Sequence, residues 1–254
     1  MLSKSQISLL KSLQFKKERE LNGSFLVEGY KSIQEFLNSS FQIEALYFTA
    51  SFDSNLMKLS QKINCIEISI SEMEKISSLK SPQQIAALVK IPKLPPLNNV
   101  YLKQKFSLVL DGIQDPGNMG TIIRIADWFG IKNIICSNDT VDVFNPKVVQ
   151  ASMGSLSRIN VFYKDIKSII LSAGLPVFGA LLAGENIYQT EFGTEGLLVM
   201  GNEGNGISAE IEQLITHAIT IPRVGMAESL NVGIATAIFC SEITRKSFNK
   251  IVSQ

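Results

Sequence analysis

Cysteine, histidine and tryptophan are scarce in this 254-residue chain, and each shortage closes off a class of chemistry. The three cysteines, Cys65, Cys136 and Cys240, are odd in number, far apart and set in apolar runs. Neither a disulfide framework nor a zinc knuckle is built that way, so they read as reduced core thiols. The only histidine, His217, excludes a histidine-based metal cluster and has no G-x-S-x-G nucleophile elbow to serve. No metal is expected. Apolar runs of membrane-spanning length are missing too, and the opening Met1-Leu2-Ser3-Lys4-Ser5-Gln6 lacks a secretory pattern, so a soluble cytoplasmic protein is expected. An excess of either charge is also lacking, since the formal net charge is +1.

What the chain does contain is enough apolar material for a substantial core: 45% of its residues are hydrophobic and 19% charged, which suits one large or two modest globular domains. A boundary is visible at Ile91-Pro92-Lys93-Leu94-Pro95-Pro96-Leu97-Asn98-Asn99, where three prolines fix their own φ and push their predecessors out of the helical region. The expected organisation is a domain over residues 1–91, a linker over 92–100 and a second domain over 101–254. Up to residue 95 there are twelve Lys and Arg against nine Asp and Glu, and after it twelve against fourteen. The basic excess is densest near Lys11, Lys16, Lys17 and Arg19, a modest footprint that could meet phosphates. A solvated helix face accounts for the same charges equally well.

Hydrophobic periodicity predicts a small α/β domain first. Helical patterns near 4 to 20, 29 to 38, 53 to 62 and 71 to 77 alternate with apolar runs at Ser24–Val27, Ile43–Phe48 and Ile85–Val89. Beyond the linker, strands are expected at Phe106–Leu110, Asn133–Cys136, Pro176–Ala180, Leu197–Met200 and Ala218–Ile221. Helices are expected near 119 to 129, 146 to 156, 164 to 172, 208 to 216 and 230 to 247. Continuous apolar strands alternating with helices imply a mostly parallel sheet covered on both faces. Several of these strands stop at glycine and short polar residues, where an open α/β sheet places its ligand crevice.

The crevice does not have the look of a phosphate site. Asp111-Gly112-Ile113-Gln114-Asp115-Pro116-Gly117-Asn118 is neither G-x-G-x-x-G nor a G-K-[ST] loop, and Gly201-Asn202-Glu203-Gly204-Asn205-Gly206 comes late in the chain. Glycine, Asn, Ser, Glu and Arg remain, suited to a ligand held by backbone groups and a reaction steered by charge.

Three segments together carry a resemblance. Leu110 through Arg124 (LDGIQDPGNMGTIIR), Met200 through Ile207 (MGNEGNGI), and Ile221-Pro222 through Glu228-Ser229-Leu230-Asn231-Val232-Gly233-Ile234-Ala235 resemble the three signature motifs of the SpoU-type (TrmH-like) RNA ribose 2′-O-methyltransferases, in the family's order and with comparable separations. Phe25-Leu26-Val27-Glu28-Gly29 and Ser81-Pro82-Gln83-Gln84-Ile85-Ala86-Ala87 are similar to the family's substrate-binding domain, so the likeness covers nearly the whole chain.

This resemblance implies S-adenosylmethionine-dependent methylation of a ribose 2′-hydroxyl in ribosomal or transfer RNA, with ribosomal RNA the first choice. It also implies an L30e-like N-terminal domain, a C-terminal SPOUT domain with a deep trefoil knot, and a homodimer formed through that domain. Met200, Gly201, Asn202, Gly206, Ile221, Leu230 and Asn231 match positions that hold the cofactor. Arg124, Asn118, Glu203, Ser229 and Asn231 match catalytic positions. S-adenosylmethionine has a sulfonium but no phosphate, so it calls for close backbone approach around an adenosine, which glycines permit.

Arg124 lies six positions after Asn118 in an otherwise apolar segment. An arginine stays protonated at ordinary pH, which argues against simple base catalysis. With an RNA phosphate beside it, Arg124 is expected to lower the cost of a 2′-alkoxide and align it with the methyl group. Asn118 can cap its helix or touch RNA. Glu203 can hold Arg124 or the substrate's ribose. Asn202, Glu203, Ser229 and Asn231 can also serve as loop clamps. Arg158, after the small-residue segment Pro146–Ser157, is a candidate phosphate contact or a solvated arginine.

Departures from the family pattern are Gln150 in place of arginine, Arg223 where methionine is common, and Gly233 for serine; they bear on target choice. Two other classes compete: a non-catalytic RNA-binding dimer, disfavoured by intact Arg124 and the glycine crevice, and a dehydrogenase-like nucleotide enzyme, disfavoured by the missing phosphate fingerprint.

Overall fold

The computed structural model describes residues 1–52 and 63–251, with side chains as far as Arg245. The helical segment expected at 53 to 62 lies outside the described residues. The chain divides into two compact units, Met1–Lys93 with Asp142–Ser157, and Leu94–Val141 with Arg158–Gln254.

The first unit opens with α1 (Lys4–Ser12), started by a reciprocal cap in which Ser3 Oγ accepts from the Gln6 amide and Gln6 returns its side-chain oxygen to the Ser3 amide. The expected single helix over 4 to 20 is broken here. Phe15 is extended (φ −96°, ψ 135°), so α2 (Lys16–Asn22) starts afresh and ends at Gly23 in the left-handed region. Then follow β1 (Ser24–Glu28), α3 (Tyr30–Leu37), β2 (Ile43–Phe48), β3 (Asn64–Glu67), α4 (Ile70–Ile76) and β4 (Ile85–Lys90). The sheet order is β1-β4-β2-β3, with β4 antiparallel to both neighbours and β2 parallel to β3. Strand β3 was not foreseen, because four residues of mixed polarity carry no periodicity.

The second unit begins with the short helix α5 (Asn99–Leu102), capped by Asn98, and continues through β5 (Phe106–Asp111), α6 (Pro116–Trp128) and β6 (Asn133–Cys136). After α7 (Pro146–Ser152), which belongs to the first unit, come β7 (Asn160–Tyr163), α8 (Ile166–Ala173), β8 (Val177–Asn186), β9 (Gly196–Gly201), α9 (Ala209–Glu212), β10 (His217–Thr220) and α10 (Val232–Ile251). All six strands pair in parallel, in the order β10-β8-β9-β5-β6-β7. The parallel α/β sheet expected from the continuous apolar runs is therefore present. Val109, Val199, Leu197 and Val177 form one core with α8 and α9. Leu108, Leu110 and Leu198 alternate with them and are equally buried, and α10 packs on α6 and β9. Strand β7 is a second short element that apolar pattern alone did not reveal.

The segment Asp142–Ser157 packs with the first unit although its sequence neighbours lie in the second. Phe144 packs tilted against Phe25 of β1 at 4.7 Å between ring centres, and α7 packs on β1. Asp142 accepts from buried Arg19 through Nε (3.1 Å) and Nη2, while Arg19 Nη1 reaches the Leu13 carbonyl at 2.8 Å. Arg19, read from charge alone as part of a phosphate-facing or solvated patch, is thus committed to a buried ion pair.

Cys136 and Cys240 are buried and Cys65 is half-buried, none in a disulfide. Burial pushes the Cys240 thiol up to about 12 and the Cys136 thiol higher still. Among the described residues no helix is long and apolar enough to cross a membrane, and no cluster of His, Cys, Asp and Glu could hold a metal ion.

Candidate functional site

The three motif segments meet at the carboxyl ends of β5, β9 and β10. After β5 the chain turns at Gly112 (φ +70°), whose amide donates to Ser137 Oγ at 2.9 Å. Asp115 then caps α6, its Oδ1 accepting from the Asn118 amide at 2.8 Å, with Pro116 preset for the first turn. After β9, Asn202 and Gly206 exchange both backbone hydrogen bonds (2.8 and 2.9 Å), closing a tight loop. Asn202 Oδ1 accepts from the amides of Gly204 and Asn205, and its Nδ2 donates to the Gly112 carbonyl at 2.7 Å. One side chain therefore shapes the second loop and pins it to the first. Gly201 is required there, since a Cβ would fall 2.2 Å from the Gly206 carbonyl carbon.

The third loop follows Ile221-Pro222. Arg223 Nη1 donates to the Ala227 carbonyl at 3.0 Å, and Asn231 Oδ1 accepts from the Gly233 and Ile234 amides, capping α10. The other end of Asn231 starts a relay. Its Nδ2 donates to Asn118 Oδ1 (2.8 Å), and Asn118 Nδ2 donates to Glu203 Oε1 (2.8 Å). All three loops are thereby tied by amide side chains around one carboxylate. Glu203, expected to hold either Arg124 or a ribose, is held by Asn118.

Between the loops lies a cleft of about 770 Å³, bordered by Met200, Gly201, Asn202, Glu203, Gly206, Ile221, Ser229 and Leu230. That volume suits a small organic ligand. Asn118 and Asn231 are not in the wall and connect to it through Glu203. Arg124 stands on the exposed side of α6, outside the cleft wall of its own chain and without a protein hydrogen bond or ion pair among the described residues. Arg158 is engaged, with Nε and Nη2 on the Asp127 carboxylate at 2.7 to 3.1 Å.

Sequence reasoning did not single out several cleft residues as ligand contacts. Leu181 and Leu182 of β8 and Phe239 of α10 reach the wall only through the sheet order and the packing of α10. Arg223 and Glu228 line it too; Arg223 had a signal, as a departure from the family's methionine.

The fit to a sulfonium nucleoside can be tested on these features. The cleft has apolar wall at Met200, Ile221, Leu230 and Phe239, main chain brought close by Gly201, and carboxylates at Glu203 and Glu228. These suit an adenosine, its backbone contacts and a positive sulfur.

Comparison with known proteins agrees with the geometry. The SpoU rRNA Methylase family model matches residues 105–241, and the MRM3-like substrate binding domain matches 4–87. The chain is 32% identical to the 23S rRNA (guanosine(2553)-2′-O)-methyltransferase RlmP of Bacillus subtilis, over 90% of this chain and 91% of that protein. A TrmH-family protein from Porphyromonas gingivalis superposes with a TM-score of 0.86 at 39% identity, covering 97% of this chain and 99% of the other. The AdoMet-bound rRNA methyltransferase of Sinorhizobium meliloti gives 0.85 at 27% identity, with 97% and 96% covered.

Proposed function

Since this chain belongs to the SpoU rRNA methylase family, we propose that it transfers the methyl group of S-adenosylmethionine to a ribose 2′-hydroxyl of structured RNA, with ribosomal RNA favoured over transfer RNA. The observation that carries this reading is the convergence of three separated loops, linked through Asn202, Asn118 and Asn231, on one glycine-lined cleft. The likeness to RlmP supports the choice of ribosomal RNA.

Main-chain groups at Gly201, Ile221 and Leu230, with Met200, Asn202 and Gly206, hold the cofactor; when bound it supplies an electrophilic methyl group. The relay through Asn231 and Asn118 fixes Glu203, whose free oxygen receives the ribose. Ser229, in the cleft wall, is a further hydrogen-bonding group for the sugar. Arg124, with an RNA phosphate beside it to orient the guanidinium, neutralises the developing 2′-alkoxide. The chain acts in the cytoplasm as a homodimer of knotted C-terminal domains. Support for self-association is the exposed apolar surface at Trp128 (83% exposed), Ile234 (55%) and Leu230 (48%). Arg124 and Trp128 both lie on the exposed side of α6, and in the proposed dimer Arg124 serves the cleft of the partner copy.

Mapping 2′-O-methyl positions in total RNA from cells with and without the gene tests the activity, and loss of one ribosomal site is expected. An unchanged map together with no calorimetric binding of S-adenosylmethionine would leave the non-catalytic RNA-binding reading instead.

A further inference from the structure

The charges around the cleft carry one more assignment. Among the described residues that line it, Glu203 and Glu228 are the anions and Arg223 is the sole cation. S-adenosylmethionine bears the inverse pattern: a sulfonium and an ammonium, both positive, and one carboxylate. We propose that Arg223 binds the methionine carboxylate of the cofactor, an inference that rests on the cleft being the S-adenosylmethionine site.

The placement of Arg223 suits that role. It follows β10 directly, after Ile221 and Pro222, and Pro222 fixes its own φ at the loop's origin. One nitrogen, Nη1, is used on the Ala227 carbonyl, which closes a loop of five residues and restrains the guanidinium at the wall. Its other N–H groups make no hydrogen bond or ion pair with the described residues, and a planar fork of donors matches a carboxylate. Arg223 is thus a cofactor-anchoring residue, separate from the groups assigned to the methyl transfer.

Calorimetry with S-adenosylmethionine and with decarboxylated S-adenosylmethionine tests this on the full-length protein, its Arg223→Met variant and its Arg223→Lys variant. The expected result is that Arg223→Met loses about tenfold in affinity for S-adenosylmethionine, the size of one charge-assisted contact at an exposed site. Its affinity for the decarboxylated analogue should stay at the wild-type value, and Arg223→Lys should recover part of the loss. Equal weakening toward both ligands would overturn the proposal and make Arg223 only a loop tie. Unchanged affinity for both, with a raised KM for RNA, would overturn it in favour of an RNA phosphate contact. If the wild-type protein bound neither ligand, the cofactor assignment of the cleft would itself fall, and this one with it.

Discussion

Asn118 Nδ2 donates to Glu203 Oε1 over 2.8 Å, joining the first turn of α6 to the loop after β9 across 85 positions of sequence. A carboxylate at a loop tip is ordinarily free to rotate. Here the amide restricts it, and Asn231 in turn fixes the amide. Removing the middle of such a relay should show in rate before it shows in stability.

For Asn118→Ala we therefore expect turnover to fall on the order of a hundredfold, as for a misplaced reacting group, with cofactor affinity little changed. Asn118→Asp should be worse, because it sets a second carboxylate against Glu203. Single-turnover kinetics alongside calorimetry separates the two effects; a normal rate for Asn118→Ala would make the relay a loop tie only.

Arg124 has no protein partner among the described residues and is exposed, so Arg124→Ala should change stability by no more than about 0.5 kcal/mol. Turnover should nevertheless be abolished, with S-adenosylmethionine affinity nearly intact. If the guanidinium serves the partner's cleft, mixing Arg124→Ala with a variant unable to bind cofactor restores activity in the mixed dimers. Failure of every mixture to recover activity would place Arg124 in its own cleft.

Gly201→Ala puts a methyl group 2.2 Å from the Gly206 carbonyl carbon. Backbone cannot yield as a flexible side chain does, so the loop must open, at a cost of roughly 1–3 kcal/mol. Loss of S-adenosylmethionine binding with retained helical and sheet circular dichroism is the expected reading.

Arg19 and Asp142 form a buried pair, with side chains 2% and 15% exposed. Arg19→Leu leaves the carboxylate without its guanidinium in a partly closed site, which typically costs about 3 kcal/mol. Hydrogen exchange should then rise across Asp142–Ser157 ahead of the rest of the first unit. Exchange that stays uniform would mean that Phe144 and α7 hold the segment by packing alone.

Glu72 answers to pH. Amides of Ser69 and Leu2 donate to its carboxylate and hold its pKa below the usual carboxylate value. A depressed folded value means that the stabilisation is present above the unfolded pKa of about 4.3. It is lost as pH falls through the folded value. Glu72→Gln should be less stable than wild type near neutrality and converge with it at strongly acid pH, measured by urea denaturation across that range. A stability gap that persists unchanged in acid would point to shape rather than charge.

The amino-acid order alone determined the elements with strong periodicity and the identity of the motif residues. The apolar runs at Phe106–Leu110 and Leu197–Met200 read as buried strands and lie within β5 and β9, and glycine with short polar residues at their ends pointed to the loops that border the cleft. Local chemistry of this kind is written in neighbouring residues. Asn64–Glu67 and Asn160–Tyr163 were not legible, because each is an only partly buried edge strand of mixed polarity that takes its place from the single strand it pairs with. Tertiary structure decided that Glu203 answers to Asn118 and not to Arg124, and that Arg223 faces the cleft. It also decided that Asp142–Ser157 packs with the first unit around Arg19. Each of these joins residues far apart in the chain. Which distant groups meet depends on sheet order and packing of the whole, and no short window of sequence encodes that.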